Sequence, residues 1–295
     1  MKRLSIIIVT YKSEHDIYDC LDSIWMHCDI PHEDLEVIVV DNSPKSDEMF
    51  SILREKYKND IILIHNTHNG GYGQGNNVGI RQATAPVILI MNPDVRLCQH
   101  IFNTALKAFE KDHQLCIYGM KQMLSPTVKS PLSFDCSRHM NGYLIPFVAK
   151  LCNKFDIYIP SIMYLAGSCF FISKSKFEAV GLFDEDIFMY GEEEDIHYRL
   201  KKQFGPHFTY NCSLRYIHQT LERPITLSTE QKIISSTTTL HDKKGFPQRT
   251  IYQNFKRYYR TRLFMAQIKK ALGDTTLTEH INILKELIRY CHSLM

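Results

Sequence analysis

The first ninety residues alternate two hydrophobic patterns. Leu4 to Val9 is a near-continuous apolar, β-branched run, and Val37 to Val40, Ile61 to Ile64 and Val87 to Met91 repeat it. Such runs predict strands buried on both faces. Between them the apolar positions fall at helical spacing. Ile17, Leu21, Ile24 and Cys28 share one face with Trp25 beside it, and Met49, Ile52, Leu53 and Tyr57 share another. Strands alternating with helices predict a parallel, layered α/β sheet. Ligands of such sheets sit beyond the carboxyl ends of the strands. Those ends carry Thr10 and Tyr11, then Asp41 and Asn42, then Asn92 and Asp94. Polar residues therefore converge on one edge.

Farther along, a helix is expected over 97–110. The stretch 120–162 holds Pro126, Pro131, Pro146 and Pro160 with weak periodicity, and reads as an irregular insertion with short strands or helices. A strand follows within Tyr164 to Ile172, then a short helix over 174–180 with Ser175 and Glu178 in capping-box spacing and a stop at Gly181. Another helix is expected from about Glu193 to Gln203, and a half-buried strand over 208–216 from its period-two alternation. The rest reads as helical, ending in a helix near 277–294 that Thr276 and Glu279 would cap. The expected organisation is a catalytic domain over 1–220 and a helical C-terminal extension over 221–295.

Composition narrows the class. Of 295 residues, 44% are hydrophobic and 23% charged, which excludes a disordered, collagen-like or low-complexity chain. No apolar run approaches the ~20 residues of a membrane-spanning helix, and Ile6 to Val9 is too short for a secretory leader. A cytoplasmic location is expected. The nine cysteines are odd in number and lack zinc spacing, which fits reduced thiols.

The net charge of +3 is too small to argue for nucleic acid, so no nucleic-acid partner is expected. The charge is uneven, however. Arg249, Lys256, Arg257, Arg260, Arg262, Lys269 and Lys270 fall in one stretch, 249–270, that has no Asp or Glu. Two readings stay open there. One is a packing helix with an apolar stripe at 255, 259, 263 and 266. The other is peripheral attachment to an anionic membrane surface, since Tyr and Phe are interleaved with the cations.

Four constellations can carry chemistry. Asn69 to Gly79 combines dense glycines with side-chain amides, which suits close backbone approach to a ligand or a tight loop entering a helix. Its glycines lack dinucleotide-binding spacing and follow the third strand rather than the first. Asn92-Pro93-Asp94 ends an apolar strand, where Asp94 can hold a hard divalent cation or cap the helix 97–110. Glu192, Glu193, Glu194 and Asp195 can complement a helix dipole, and Asp195 can pair with Arg199 at i, i+4. Their mutual repulsion also raises carboxyl pKa values towards those of a useful base. His218, after the strand 208–216, is one of fourteen histidines and gains interest only from its position.

In order along the chain stand Ser5 to Tyr11, Val40-Asp-Asn-Ser43, the Asn69 to Gly79 loop, Leu89 to Val95 and Ala166-Gly-Ser168. Gly181 to Glu185, Phe188 to Ile196 with Arg199, and His218 complete the series. This ordered set, spanning roughly 4–220, resembles family 2 glycosyltransferases of the GT-A fold, of the rhamnosyl- and galactofuranosyltransferase-like type. The resemblance implies a mixed, mostly parallel nucleotide-sugar-binding sheet flanked by helices. It implies that Thr10, Tyr11, Asp41 and Asn42 hold the base and ribose of a nucleotide sugar, with Asn69, Gly71 and Asn76 lining the pocket.

Asp94 matches the last acid of the family's metal motif and Asn92 stands in place of the first, one charge fewer, both beside the donor. His218 matches a further metal contact, so Mn or Mg is the implied cofactor. Glu193 matches the general base, with Glu192 or Glu194 open as the base by a shift of one position. The implied reaction is inverting transfer from a UDP- or dTDP-linked sugar to a glycan or lipid-linked acceptor in cell-surface polysaccharide synthesis. A hydrolase would need a second acid to protonate a leaving sugar oxygen, which a diphosphate leaving group makes unnecessary. A homodimer is left open. A noncatalytic sugar-nucleotide-binding subunit and a nucleotide-dependent oxidoreductase stay as alternatives.

Overall fold

The computed structural model describes residues 1–295 except Ser46, His139, residues 219–224 and the side chain of Asp47. Two compact units emerge, one of 1–133, 165–188 and 192–220, the other of 134–164, 189–191 and 221–295. The expected boundary at 220 and 221 lies outside the described residues.

The first unit is built on an eight-stranded sheet of order β3-β2-β1-β4-β9-β6-β10-β5. Its strands are β1 (Leu4–Thr10), β2 (Leu35–Asp41), β3 (Ile61–His65), β4 (Val87–Met91), β5 (Val95–Leu97), β6 (Ile117–Met123), β9 (Cys169–Ser173) and β10 (Phe208–His218). The four apolar runs read from sequence form the parallel half, β3-β2-β1-β4. β9 runs antiparallel to both β4 and β6, while β10 runs parallel to β6 and antiparallel to β5. The sheet is thus mixed and mostly parallel, the GT-A arrangement expected.

Helices α1 (Ile17–Met26), α2 (Asp47–Tyr57), α3 (Gly71–Gln82) and α4 (Phe102–Lys111) belong to this unit. Ile17, Leu21, Ile24, Phe50 and Leu53 join one core with Ile6, Ile8, Val37 and Val39 of the sheet. The glycines of 71–79 are inside α3 rather than in a loop around a ligand. A Cβ on Gly79 would lie 2.6 Å from Ile7 Cγ2, and one on Gly75 would lie 2.7 Å from Val9 Cγ1. They let α3 lie flush on β1 and β2, which removes the dinucleotide-loop reading of this stretch.

Three local expectations change. The helix expected from 97 begins at Phe102, because 95–97 pair with β10 as a strand. Asp94 therefore caps no helix; Asp29 Oδ1 accepts from the backbone N–H groups of Phe102 and Asn103 at 3.1 and 3.2 Å. Helix α6 (Lys174–Ala179) starts after Ser173 and has no side-chain cap, so Ser175 and Glu178 form no capping box. Thr276 lies in a 3-10 turn capped by Asp274, and the last helix follows Leu277.

The second unit contains β7 (Phe134–Cys136), α5 (Ile145–Phe155), α8 (Leu227–Lys243), α9 (Gln248–Ala271) and α10 (Thr278–Ser293), while β8 (Met163–Leu165) pairs with β7. Its core gathers Ile234, Ile251, Phe255, Tyr259, Leu284 and Leu287. The stripe of α9 is thus 251, 255, 259 and 266, with Leu263 packed against it only partly buried. Phe255 and Tyr259 are committed to the core, and the Tyr259 hydroxyl donates to Glu230 at 2.7 Å. Among the described residues, no helix is long and apolar enough to cross a membrane.

Candidate active site

Strand register assembles the polar edge. Thr10 of β1 pairs with Asp41 of β2, and the Thr10 hydroxyl donates to Asp41 Oδ1 at 2.9 Å. The Ser43 hydroxyl and N–H reach the same oxygen at 2.8 and 3.2 Å. Asp41 Oδ2 is left buried without a hydrogen-bond partner among the described residues. An acceptor desolvated in this way costs free energy until a donor arrives. Tyr11, next along, is exposed.

Asn42 Nδ2 donates to the Gly71 carbonyl at 3.2 Å and to Asn69 Oδ1 at 3.3 Å, and Asn69 Oδ1 also accepts from the Gly71 N–H at 3.1 Å. Asn42, Asn69 and Gly71 therefore sit together, and these bonds tie β2 to the start of α3. Gly71 has φ of +93°, and a Cβ there would collide with the Phe188 carbonyl oxygen, so only glycine fits. Asn76 Nδ2 donates to the Tyr72 carbonyl one turn back at 2.9 Å, while its Oδ1 is buried without a hydrogen bond among the described residues.

β10 pairs with β5 so that His218 stands opposite Val95, one residue past Asp94. The His218 Nε2 consequently lies 3.1 Å from Asp94 Oδ1. β4 pairs with β9 so that Met91 faces Cys169, and the Asn92 N–H donates to the Ser168 carbonyl at 2.8 Å. Asn92 Oδ1 is buried and has no hydrogen-bond partner among the described residues. Among the described residues, no three His, Cys, Asp or Glu side chains gather as a complete metal cage. One carboxylate, one imidazole and one orphaned amide oxygen nonetheless suit Mn or Mg, which commonly complete their shells with substrate phosphates and water.

The acidic run opens α7 (Glu192–Phe204). Glu192, Glu194 and Asp195 are buried, whereas Glu193 reaches solvent in part. The pair expected at i, i+4 is present, with Arg199 Nε donating to Asp195 Oδ2 at 2.7 Å. That occupies Asp195 structurally. Glu193 differs: its carboxyl lies directly against Gly167, where any Cβ would overlap Glu193 Oε1. Desolvation, with Glu194 close by, holds the Glu193 carboxyl above the usual carboxylate range, against a backbone hydrogen bond that lowers it.

Residues 5–130 match the family described as Glycosyl transferase family 2. A glycosyltransferase family 2 domain thus occupies the first part of the chain. A hexosyltransferase of low-salt glycan biosynthesis, Agl10 of Haloferax volcanii, is 31% identical over 68% of this chain and 62% of its own length. The poly(ribitol-phosphate) β-N-acetylglucosaminyltransferase TarS of Staphylococcus aureus is 31% identical over 38% of this chain and 20% of its own length. The chain thus spans less than two thirds of either relative.

Solved structures share the fold. The mannosyltransferase PcManGT of Pyrobaculum calidifontis, in complex with GDP-Man and Mn2+, superposes with a TM-score of 0.65 at 15% identity, over 97% of this chain and 85% of that one. TarS residues 1–349 with UDP-GlcNAc superpose with a TM-score of 0.56 at 16% identity, over 97% and 81% of the two chains.

Around this site, several supporting residues escape a sequence reading. His197 Nε2 accepts from the Leu165 N–H at 3.2 Å, so Nδ1 carries the proton and donates to the Glu193 carbonyl at 2.7 Å. Burial pushes His197 down to about 4, which keeps that neutral tautomer in place. The spacing Glu193 to His197 is visible in the sequence, but the partner Leu165 is not. The Tyr72 hydroxyl donates to the Gly167 carbonyl at 2.7 Å. Gln122 Oε1 accepts from Ser168 at 3.1 Å and Tyr216 at 3.2 Å. Together these bonds fix the Gly167-Ser168 turn between Asn92 and Glu193.

Gly167 accordingly carries a prediction. A methyl group at this position can be accommodated only by moving the Glu193 carboxyl. Gly167→Ala is expected to fold and to bind nucleotide as before, yet to lose ~10²-fold in turnover, the scale of a misplaced catalytic group. Circular dichroism, nucleotide calorimetry and donor turnover on one preparation would check it.

Proposed function

We propose that the protein is an inverting glycosyltransferase that moves a hexosyl or deoxyhexosyl group from a nucleotide-diphosphate sugar to a hydroxyl of a glycan or lipid-linked glycan. The observation that carries this reading is the continuous set of contacts from His218 and Asp94 through Asn92, Ser168 and Gly167 to the Glu193 carboxyl. It supplies one basic carboxylate beside one diphosphate-compatible donor set at the carboxyl ends of β1, β2 and β4.

In this mechanism Thr10, Tyr11, Asp41 and Asn42 hold the base and ribose, and Asp41 Oδ2 offers an unsatisfied acceptor for a nucleotide N–H or O–H. Asn69, Gly71 and Asn76 shape the adjoining wall. Asp94 and His218, helped by Asn92, would hold Mn or Mg, which supplies positive charge against the leaving diphosphate. Glu193 accepts the acceptor's hydroxyl proton as that oxygen bonds to the anomeric carbon. The bond from that carbon to the diphosphate oxygen breaks on the opposite face, so the anomeric centre inverts. Glu192 and Glu194 are its buried neighbours, and Glu194 adds to the desolvation that keeps Glu193 basic.

The named activities of Agl10 and TarS support a glycan or polyol-phosphate acceptor in surface-polymer synthesis, and the ligands of PcManGT and TarS support a nucleotide sugar donor. A panel of UDP-, dTDP- and GDP-sugars with Mn tests this. One family of donors is expected to raise the melting temperature and release its sugar; stabilisation by none of them would contradict the reading.

An anionic membrane surface is proposed as a further partner, at the cytoplasmic face. The second unit supports it with an exposed apolar stripe formed by Leu144, just before α5, and Phe147, Leu151 and Phe155 of α5, flanked by Lys150 and Lys154. Exposed Arg260, Lys269 and Lys270 of α9 add charge worth about 1 kcal/mol each near such a surface. Phe147→Ser with Leu151→Ser is expected to abolish cosedimentation with anionic liposomes; unchanged cosedimentation would remove α5 from this role.

A further inference from the structure

A cleft of about 370 Å³ opens within the second unit, at the small end of ligand-pocket sizes. None of its lining residues belongs to the candidate active site. Arg249, Lys256, Arg257 and Arg260 project into it from α9, His292 from α10, and Tyr143 from the chain just before α5. The offsets of seven, eight and eleven residues from Arg249 place the four cations on one side of the helix. No acidic side chain lines the cleft.

Among the described residues, none of these four cations has a carboxylate within ion-pair distance. Two are nevertheless held in position. Lys256 Nζ lies 3.2 Å from His292 Nδ1; an ammonium only donates, so His292 accepts there and its Nε2–H is a further donor. The Arg257 guanidinium lies 5.8 Å from the centre of the Tyr143 ring and donates to Asn254 Oδ1 at 3.4 Å. Like charges brought together on fixed supports repel one another until an anion neutralises them.

We propose that this cleft is a second anion site that binds a phosphate-bearing group of diphosphate size. Three guanidinium forks match pairs of phosphate oxygens, and the ammonium and imidazole add single donors. Four cations exceed what one carboxylate neutralises, whereas a diphosphate offsets most of their charge. The same chemistry is offered by a phosphorylated soluble compound and by a lipid phosphate. The site is distinct from the general attraction of α9 to an anionic surface, which needs no cleft, and from the donor site, which needs Asp94.

Calorimetry with inorganic pyrophosphate on the full chain in EDTA tests it, because metal-dependent donor binding is then silent. One pyrophosphate per chain is expected. The side chains of Arg249 and Arg260 are exposed and make no hydrogen bond among the described residues, so Arg249→Gln with Arg260→Gln should melt as the parent does. The pair should weaken pyrophosphate about tenfold or more, the loss of at least one charged hydrogen bond. Lys256→Gln with Arg257→Gln should act likewise, and Asp94→Ala should have no effect.

Absent binding, equal affinity in parent and both pairs, or loss only on Asp94→Ala would overturn the proposal. The source is read from vesicles of phosphatidic acid in phosphatidylcholine. Release of bound protein by pyrophosphate assigns a lipid phosphate to the site. Vesicle binding that pyrophosphate leaves unchanged, or none, assigns the phosphate of a soluble compound.

Discussion

Glu193→Gln is expected to keep nucleotide-sugar binding and to lower transfer by ~10²-fold or more, the contribution typical of a positioned general base. The substitution is nearly isosteric, so the contact with Gly167 stays filled while the proton acceptor is lost. Because desolvation and Glu194 hold the Glu193 carboxyl high, the base is protonated at a pH where an ordinary glutamate is still charged. Activity should therefore fall on the acidic side at a pH above the ~4.3 of a free glutamate.

The same shift has a stability consequence. A carboxyl raised on folding favours the fold fully below its unfolded pKa, and that advantage disappears as pH rises through the folded value. At neutral pH the charged Glu193 thus costs stability, and the Gln variant should melt no lower than the parent. If instead Glu192→Gln or Glu194→Gln abolishes turnover while Glu193→Gln retains it, the base is one residue away.

Asp94→Ala should reduce transfer by ~10²-fold or more, since a metal contributes several kcal/mol of charge stabilisation at a leaving phosphate. Asp94 follows the Asn92-Pro93 turn with its side chain partly exposed, so the fold should survive. The diagnostic is the metal dependence. Nucleoside diphosphate binding should strengthen with Mn in the parent and lose most of that gain in the variant. Equal Mn-dependent affinity by calorimetry would remove Asp94 from the site.

The parallel half of the sheet is legible because β1, β2 and β4 are buried on both faces and, with the partly buried edge strand β3, announce themselves as continuous apolar runs. The site edge followed from topology alone, since Thr10, Asp41 and Asn92 end or follow those strands. What stayed hidden depends on partners far along the chain. β5 reads locally as the start of a helix, and only pairing with β10, more than a hundred residues later, makes Val95–Leu97 a strand. β6 likewise takes its place from β9 and β10.

The glycines of α3 illustrate an ambiguity of composition. Close approach to a ligand and close approach to a strand demand the same missing Cβ, and here Gly75 and Gly79 face Val9 and Ile7. The acidic run shows the reverse situation. Four adjacent acids look alike in sequence, but Arg199 occupies Asp195, and the backbone of Gly167 receives Glu193. The aromatics of 249–270 read alike in sequence as candidates for a membrane interface, yet Phe255 and Tyr259 lie in the core of the second unit.

The most direct test of the proposed chemistry needs no knowledge of the acceptor, because water can take its place. With the nucleotide sugar that the donor panel selects, proton NMR records the anomer released first, before mutarotation. Direct displacement with a single base predicts that an α-linked donor yields the β sugar first, at a rate that drops on Glu193→Gln. First release of the α sugar, or an unchanged rate in that variant, would contradict the account.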